Sequence, residues 1–237
     1  MSEKLRDSFR RKVYIKKKFI KKDYFYKIVE NLKNKEGSIL DIGCASGDLF
    51  LFINWLIKNN NFTFHGIEKN KNLVDFARKR FPKGIFFKKD IFSKNFVHNI
   101  KYNYIICAGT INLFNDLSKF FKLLSKLTIK NKTKIIIFDL ITNDPMETRT
   151  NLRIFKDKKF SKWINTYNIH SEININEQVK KQFKKFKIKY SDMKYKSQVK
   201  KKTKFSLRSW TVKIDNEINF VSRTNQILYS KICIIDV

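Results

Sequence analysis

The chain has 237 residues, 42% of them hydrophobic and 15% aromatic, which is enough for one sizeable domain with its own core. Lys and Arg number 52 against 21 Asp and Glu, a formal net charge of +31, so partners should be anionic: nucleic acid, an anionic membrane, phosphorylated metabolites or acidic glycans. The three cysteines, Cys44, Cys107 and Cys233, have no metal-ligand spacing, and their odd number argues against a disulfide framework. The N-terminus is too polar for a signal peptide and no apolar run reaches transmembrane length, which predicts a cytoplasmic chain without a membrane span. Part of the charge has a bland source, since Lys, Asn, Ile and Phe are abundant together, as AT-rich codon usage produces. That source does not explain why Glu failed to keep pace.

All six glycines lie at or before Gly109, so the first half is predicted to be a ligand-binding α/β core with short loops. Residues 1–37 are basic, and Phe19, Ile20, Tyr24, Ile28, Val29 and Leu32 recur at near-helical spacing. This predicts one or two amphipathic packing helices, with Tyr24 or Tyr26 as a candidate pocket wall. SILDIG at 38–43 is a short apolar run closed by glycine, which suits a buried parallel strand. A helix over 47–58, a strand over 62–68, a helix over 70–80 and strands over 84–88 and 102–108 follow. A helix over 113–129 and a strand over 133–139 complete the alternation, which implies a parallel sheet with right-handed crossovers. His98 falls in a polar loop and is expected at the surface.

The pattern changes after Leu140. Residues 141–170 show no clear period, and a stretch of that length inside a compact domain is expected to be functional or disordered. A helix is predicted over 172–184, a sixth strand over 185–190 and a solvated basic loop over 196–204. Two strands joined at Asp215-Asn216 form a hairpin within 205–222, and 227–236 is one long final strand.

The chemistry concentrates at the strand ends. A nucleoside ligand at the carboxyl edge of a parallel sheet needs a tight turn with little side-chain bulk. Gly43, Ala45 and Gly47 supply it around Cys44 and Ser46. The dinucleotide pattern is not met, because Ala45 stands at its second glycine and Asp48 at its third. Glu68 ends the second strand, where a carboxylate can accept both ribose hydroxyls. Asp90 follows the third strand with Ile91 beside it, an acceptor for an adenine amino group and an apolar cover for the ring. Cys107, Ala108 and Thr110 bring small residues to the end of the fourth strand.

Residues 38–140 resemble the core of the class I S-adenosylmethionine-dependent methyltransferases. ILDIGCASG resembles that family's first motif, with Ala45 where glycine is commoner. GIEKN, which carries Glu68 and Lys69, resembles the second, KKDIF the third, and YNYIICAGTINLFND the segment after the fourth strand. The resemblance implies S-adenosyl-L-methionine as cofactor. Asp41, Gly43, Ala45 and Gly47 would contact its methionine moiety, Glu68 its ribose, and Asp90 and Ile91 its adenine. It also implies a Rossmann-like, seven-stranded, mostly parallel sheet with the last strand antiparallel and helices on both faces. A single domain over 38–237 would then carry an acceptor cap at 141–170 and the hairpin inserted near the C-terminus. NIHSE at 168–172 and LRSWTVKI at 207–214 are similar to methyltransferases associated with bacterial surface-polysaccharide and nucleotide-sugar gene clusters.

Methyl transfer from a sulfonium is an in-line displacement, so positioning supplies much of the rate, and a base is needed when the nucleophile is a hydroxyl. His170 is the base candidate among three histidines, since His65 lies within the second strand. Asp116 and Thr110 are candidates for orienting the acceptor, and Asp116 equally for a helix N-terminus. Arg149 and Arg153 stand four apart and, on a helix, would clamp a phosphate or carboxylate. Tyr167 and Arg208 are further acceptor candidates. No Asn-Pro-Pro-Tyr type tetrapeptide, Pro-Cys nucleophile or His/Asp metal cluster occurs. These features favour a small-molecule or sugar acceptor, nucleotide-sugar-like and anionic, over RNA. A non-catalytic subunit that keeps the fold is the third reading.

Overall fold

The structure, a computed structural model, describes residues 14–15, 21–32, 35–93, 96, 98–153, 155–156, 159–160, 162–195, 210–214, 217–221 and 227–237. Arg208, the basic loop at 196–204 and the Asp215-Asn216 turn lie outside the described residues.

Helix α1 (Asp23–Glu30) buries Phe25, Ile28 and Val29, the single stripe its helical spacing predicts. The alternation that follows is β1 (Glu36–Ile42), α2 (Asp48–Leu56), β2 (Asn61–Glu68), α3 (Lys71–Arg80), β3 (Gly84–Lys88), β4 (Tyr104–Ala108), a 3-10 turn (Ile111–Leu113), α4 (Leu117–Leu127) and β5 (Lys134–Thr142). Beyond them come β6 (Thr148–Leu152), β7 (Phe155–Lys156), β8 (Lys159–Phe160), β9 (Ile164–Ser171), α5 (Glu172–Gln182) and β10 (Lys187–Asp192). The chain closes with β11 (Trp210–Ile214), β12 (Glu217–Val221), β13 (Ile227–Leu228) and β14 (Ser230–Asp236).

The main sheet runs in the order β10-β14-β5-β4-β1-β2-β3. Strands β1 to β5 are parallel, and β14 is antiparallel to both β5 and β10. This is the predicted Rossmann-like, mostly parallel path of seven strands, but the sheet counts nine, because β9 pairs with β5 and β6 with β9. Alternation along each strand feeds two cores. Ile39, Ile106, Ile136 and Phe138 face α1, α2 and α3, while Leu40, Ile105, Ile135 and Ile137 face α4 and α5. Apolar side chains on both faces are what a parallel strand covered twice by helices requires.

Asp48 occupies the first turn of α2, and its carboxylate is bound by the Arg80 guanidinium at 2.8 Å and by the Ser46 hydroxyl at 3.0 Å. That buried pair explains a charged residue where a dinucleotide fold would pack glycine.

Three expectations are corrected. The stretch 141–170, which shows no period in the sequence, contains strands β6 to β9 among its described residues. β6 and β9 make an antiparallel arm, and β9 joins the carboxyl end of β5 through Ile141 and His170. The premise of a helical Arg149–Arg153 clamp therefore fails, because Arg149 lies in β6 and a register shift falls between Thr150 and Asn151. His98 is packed, not surface. Its ring stacks on Tyr102 with 4° between planes, and the Tyr102 hydroxyl bonds His98 Nε2 and, at 2.8 Å, His65 Nδ1. Burial, aided by the Lys89 cation and His65, pushes His98 down to about 4, so the ring is neutral near pH 7. The final strand is split at Tyr229: β13 completes a small sheet with β11 and β12, and only β14 enters the main sheet.

Candidate functional site

The first turn of the site is fixed by backbone. The amides of Gly43 and Cys44 both donate to the Ile67 carbonyl, at 2.8 and 3.2 Å, which ties the end of β1 to the end of β2. Gly43 takes a φ of +79°, and an added Cβ would press on the Thr110 side chain. Ala45 takes a φ of +48°, the left-handed region that L residues other than glycine enter at a cost. This is the physical reason glycine is commoner at that position in the motif, and Ala45 bears the strain.

Two cavities meet at Gly43, both at carboxyl ends of the parallel strands. The larger, about 370 Å³, is lined by Gly43, Glu68, Lys69, Asp90, Ile91 and Thr110, with Leu113 to Asp116 as a wall. The smaller, about 30 Å³, is lined by Asp41, Gly43, Cys44, Ala45 and Ala108, with Tyr14, Lys22 and Tyr24 closing it from the N-terminal side. Gly47 and Cys107 line neither. Gly47 starts α2 at a φ of +72°, and Cys107 is fully buried, its thiol pushed up by burial.

Chemically, the larger cavity offers carboxylates at two strand ends and apolar cover from Ile91 and Phe92. Glu68 is almost wholly buried, and its Oε1 accepts the Asn70 amide at 2.9 Å, so the carboxylate is held in one orientation. The smaller cavity offers the Asp41 carboxyl beside the Gly43–Ser46 turn. Burial pushes Asp41 up to about 7, with the Lys22 ammonium opposing the rise and the Glu68 carboxylate adding to it. A two-part cleft, with acceptors for ribose hydroxyls and an adenine amino group in one part and an acid for an ammonium in the other, fits S-adenosylmethionine.

A family model described as a methyltransferase domain matches residues 33–205. The chain belongs to that family. It is an S-adenosylmethionine-dependent methyltransferase, and the order of its sheet agrees. No curated protein matches it. Among solved structures, a putative S-adenosylmethionine-dependent methyltransferase from Listeria monocytogenes superposes with a TM-score of 0.62 at 10% identity, covering 91% of this chain and 98% of that one. The YcgJ protein from Bacillus subtilis gives 0.54 at 11% identity, covering 89% and 96%. The O-methyltransferase of a trans-AT polyketide synthase multienzyme from Brevibacillus brevis, in complex with S-adenosyl-L-homocysteine, gives 0.53 at 16% identity, covering 80% and 58%. At these identities the likeness is one of fold.

The methyltransferase places its remaining candidates unevenly. Thr110 packs over Gly43 and walls the larger cavity. Asp116 borders the same cavity and caps α4, accepting the Ser118 amide at 2.9 Å. His170 is buried behind the loop after β4, with Nε2 at 3.0 Å from the Ile111 carbonyl and Nδ1 at 3.3 Å from Glu147 Oε1. Arg149 donates to the Asn115 carbonyl at 2.9 Å. Arg153 lies over the rings of Trp163 and Phe160, and Tyr167 is half-buried on β9 opposite Thr150.

Three contributors escaped the sequence reading. Lys22 reaches into the smaller cavity and donates to the Tyr24 hydroxyl at 2.8 Å, and no signal separates it from the other cations of so basic a chain. Asn168 is buried and donates to the Phe114 carbonyl at 2.8 Å, fastening the arm to the cavity wall. Asp139 is buried near the end of β5 and accepts from the Asn112 amide and side chain at 3.1 and 2.6 Å. A carboxylate closing an apolar strand, as Asp41 and Glu68 do, was the signal available for it.

With Asp41 as the partner of the cofactor's ammonium, cofactor binding is expected to depend on pH in a definite direction. In the free protein the carboxyl is half-protonated at about 7. A cofactor that brings an ammonium and a sulfonium into the cleft favours the carboxylate, so binding releases a proton. The affinity for S-adenosylmethionine should therefore rise as pH rises from 5.5 to 7, approaching about tenfold per pH unit, and level off above that. Calorimetry in two buffers of different ionisation enthalpy should show the proton release at pH 6, and Asp41→Asn should abolish it.

Proposed function

We propose that this methyltransferase transfers the methyl group of S-adenosylmethionine to a small-molecule or glycan acceptor that carries an anionic group, nucleotide-sugar-like in kind. The observation that carries the reading is the fastening of the β6–β9 arm to the loop walling the cofactor cavity, through Asn168, Arg149 and His170. An arm pinned there stands beside the cavity wall and holds a cation, Arg149, against Asn115 of that wall. Lys69, Lys89 and Lys119 add positive charge around the larger cavity.

The cofactor supplies an electrophilic methyl on a sulfonium. Bound there, it would give up that methyl to the acceptor, with the sulfur keeping the bonding pair. The protein's residues bind and align. Glu68 and Asp90 hold the nucleoside, Asp41 the amino group, and Thr110 and Ala108 keep the approach to the sulfur narrow. In this reading His170 is a positioning residue and not the base, because both ring nitrogens face oxygen acceptors. An acceptor oxygen already ionised needs no base, which agrees with an anionic acceptor.

The test uses the full chain with methyl-labelled S-adenosylmethionine, offered a nucleotide-sugar pool and, separately, total RNA. Label should enter the small anionic fraction. Arg149→Gln should raise the acceptor KM about tenfold, the worth of one charge-assisted hydrogen bond, while cofactor affinity stays unchanged. Label entering RNA and not the small-molecule pool would overturn the reading.

A further inference from the structure

The outer end of the β6–β9 arm is unlike the rest of the surface. Phe160 is 59% exposed and Trp163 64% exposed, and the Arg153 guanidinium lies over both rings, 5.1 Å from one centroid and 4.6 Å from the other. Beyond the last β6–β9 pair, Leu152 with Ile164, strands β7 and β8 form a separate short hairpin. From His170, where β9 meets the edge of β5, to Trp163 is seven residues, about 20 Å of extended strand. The rings lie at the outer end of the arm, beyond Asn165, whose side chain bonds Asn115 of the cavity wall at 3.1 Å, and neither ring lines the cofactor cavities. Between residues 153 and 163 the sequence holds Arg153, Lys156, Lys158, Lys159 and Lys162 against Asp157 alone. Lys156 and Lys159 are direct register partners in that hairpin.

We propose that this tip docks the methyltransferase on an anionic lipid surface. Exposed Trp and Phe rings among several cations are the composition of an interfacial anchor. The rings enter the headgroup level, and the cations meet lipid phosphates. RNA fits the tip less well. Sequence-tolerant nucleic-acid binding stacks bases on open ring faces along a basic groove. Here one face of each ring is already covered by Arg153, and the feature is a narrow hairpin end. A planar charged surface suits a projecting tip, and it would hold the enzyme beside acceptors assembled at a membrane. The docking does not depend on the identity of the acceptor.

Sedimentation of the full chain with vesicles tests it. Vesicles containing phosphatidylglycerol should bind at least tenfold more protein than vesicles of phosphatidylcholine alone, and raised salt should reverse most of the difference. The Phe160→Ala/Trp163→Ala double variant should lose most of the binding while keeping its melting temperature and its affinity for S-adenosylmethionine. Those two controls separate a lost anchor from a lost fold. Equal binding to both vesicle types would overturn the proposal. So would full vesicle binding by the double variant, or single-stranded RNA binding that depends on the two rings while vesicle binding is absent.

Discussion

Replacing Glu68 with alanine should weaken S-adenosylmethionine binding by a hundredfold or more in a calorimetric titration. The carboxylate is buried at the carboxyl end of β2 and oriented by the Asn70 amide. In the proposed role it would give the ribose two charge-assisted hydrogen bonds, each worth about 1.5–3 kcal/mol, so losing both would cost about 3–6 kcal/mol of binding. Alanine also leaves the Asn70 amide without this acceptor, and stability should fall by about 1–3 kcal/mol. Glu68→Gln separates the two effects. The amide oxygen keeps the bond to Asn70 and one hydroxyl, so the fold should be retained and binding should weaken by only about tenfold. A third consequence concerns Asp41. The Glu68 carboxylate contributes to the raised value of Asp41, so either variant should move the pH dependence of cofactor binding to lower pH. Unchanged affinity in Glu68→Ala would refute its role in the site.

Gly43→Ala should both destabilise the fold and remove cofactor binding. Two costs add. The position has a φ of +79°, which burdens any L side chain by about 1–2 kcal/mol. The new methyl would also press on Thr110, with Cγ2 at 2.9 Å and Cβ at 3.1 Å, and overpacking of this kind costs about 1–3 kcal/mol. Neither side yields easily. The Gly43 amide is bound to Ile67 at 2.8 Å, and the Thr110 carbonyl accepts the Leu113 amide at 3.0 Å. The sum, about 2–5 kcal/mol, should be visible in denaturant unfolding. Because Gly43 borders both cavities, the displaced turn should also abolish titratable binding. Adding Thr110→Ala should recover part of the stability by removing the clash, while the backbone strain stays. Ala45 shows that the strain alone is tolerated, since it holds a φ of +48° in the native chain.

These residues were legible in the sequence because one physical rule placed them. A buried parallel strand is an apolar run, and the candidate site residue stands where the run stops. SILDIG, FTFHGIE and the Gly84–Lys88 strand each follow this rule, and the structure sets their ends side by side. The arm obeyed no such rule. Thr148-Arg149-Thr150 and Asn165 to Asn168 are polar on both faces, because the two strands are held by their own ladder and by side-chain bonds to the loop after β4. Period-2 hydrophobicity arises only when one face is buried. His98 misled for a related reason. A polar neighbourhood in sequence says nothing about a tyrosine four residues on that stacks beneath the ring. The split at Tyr229 could not be read from an unbroken apolar run, since only the partner strands distinguish β13 from β14.

Residues 39–50, Glu68 and Asp90 are proposed to form one site for S-adenosylmethionine. Calorimetric titration of the unmodified chain with S-adenosylmethionine, at pH 8 where Asp41 is ionised, tests it most directly. Saturable binding that S-adenosylhomocysteine displaces and Glu68→Ala abolishes is the result expected. A folded chain that gives no heat of binding at millimolar cofactor would show that these residues do not form the cofactor site.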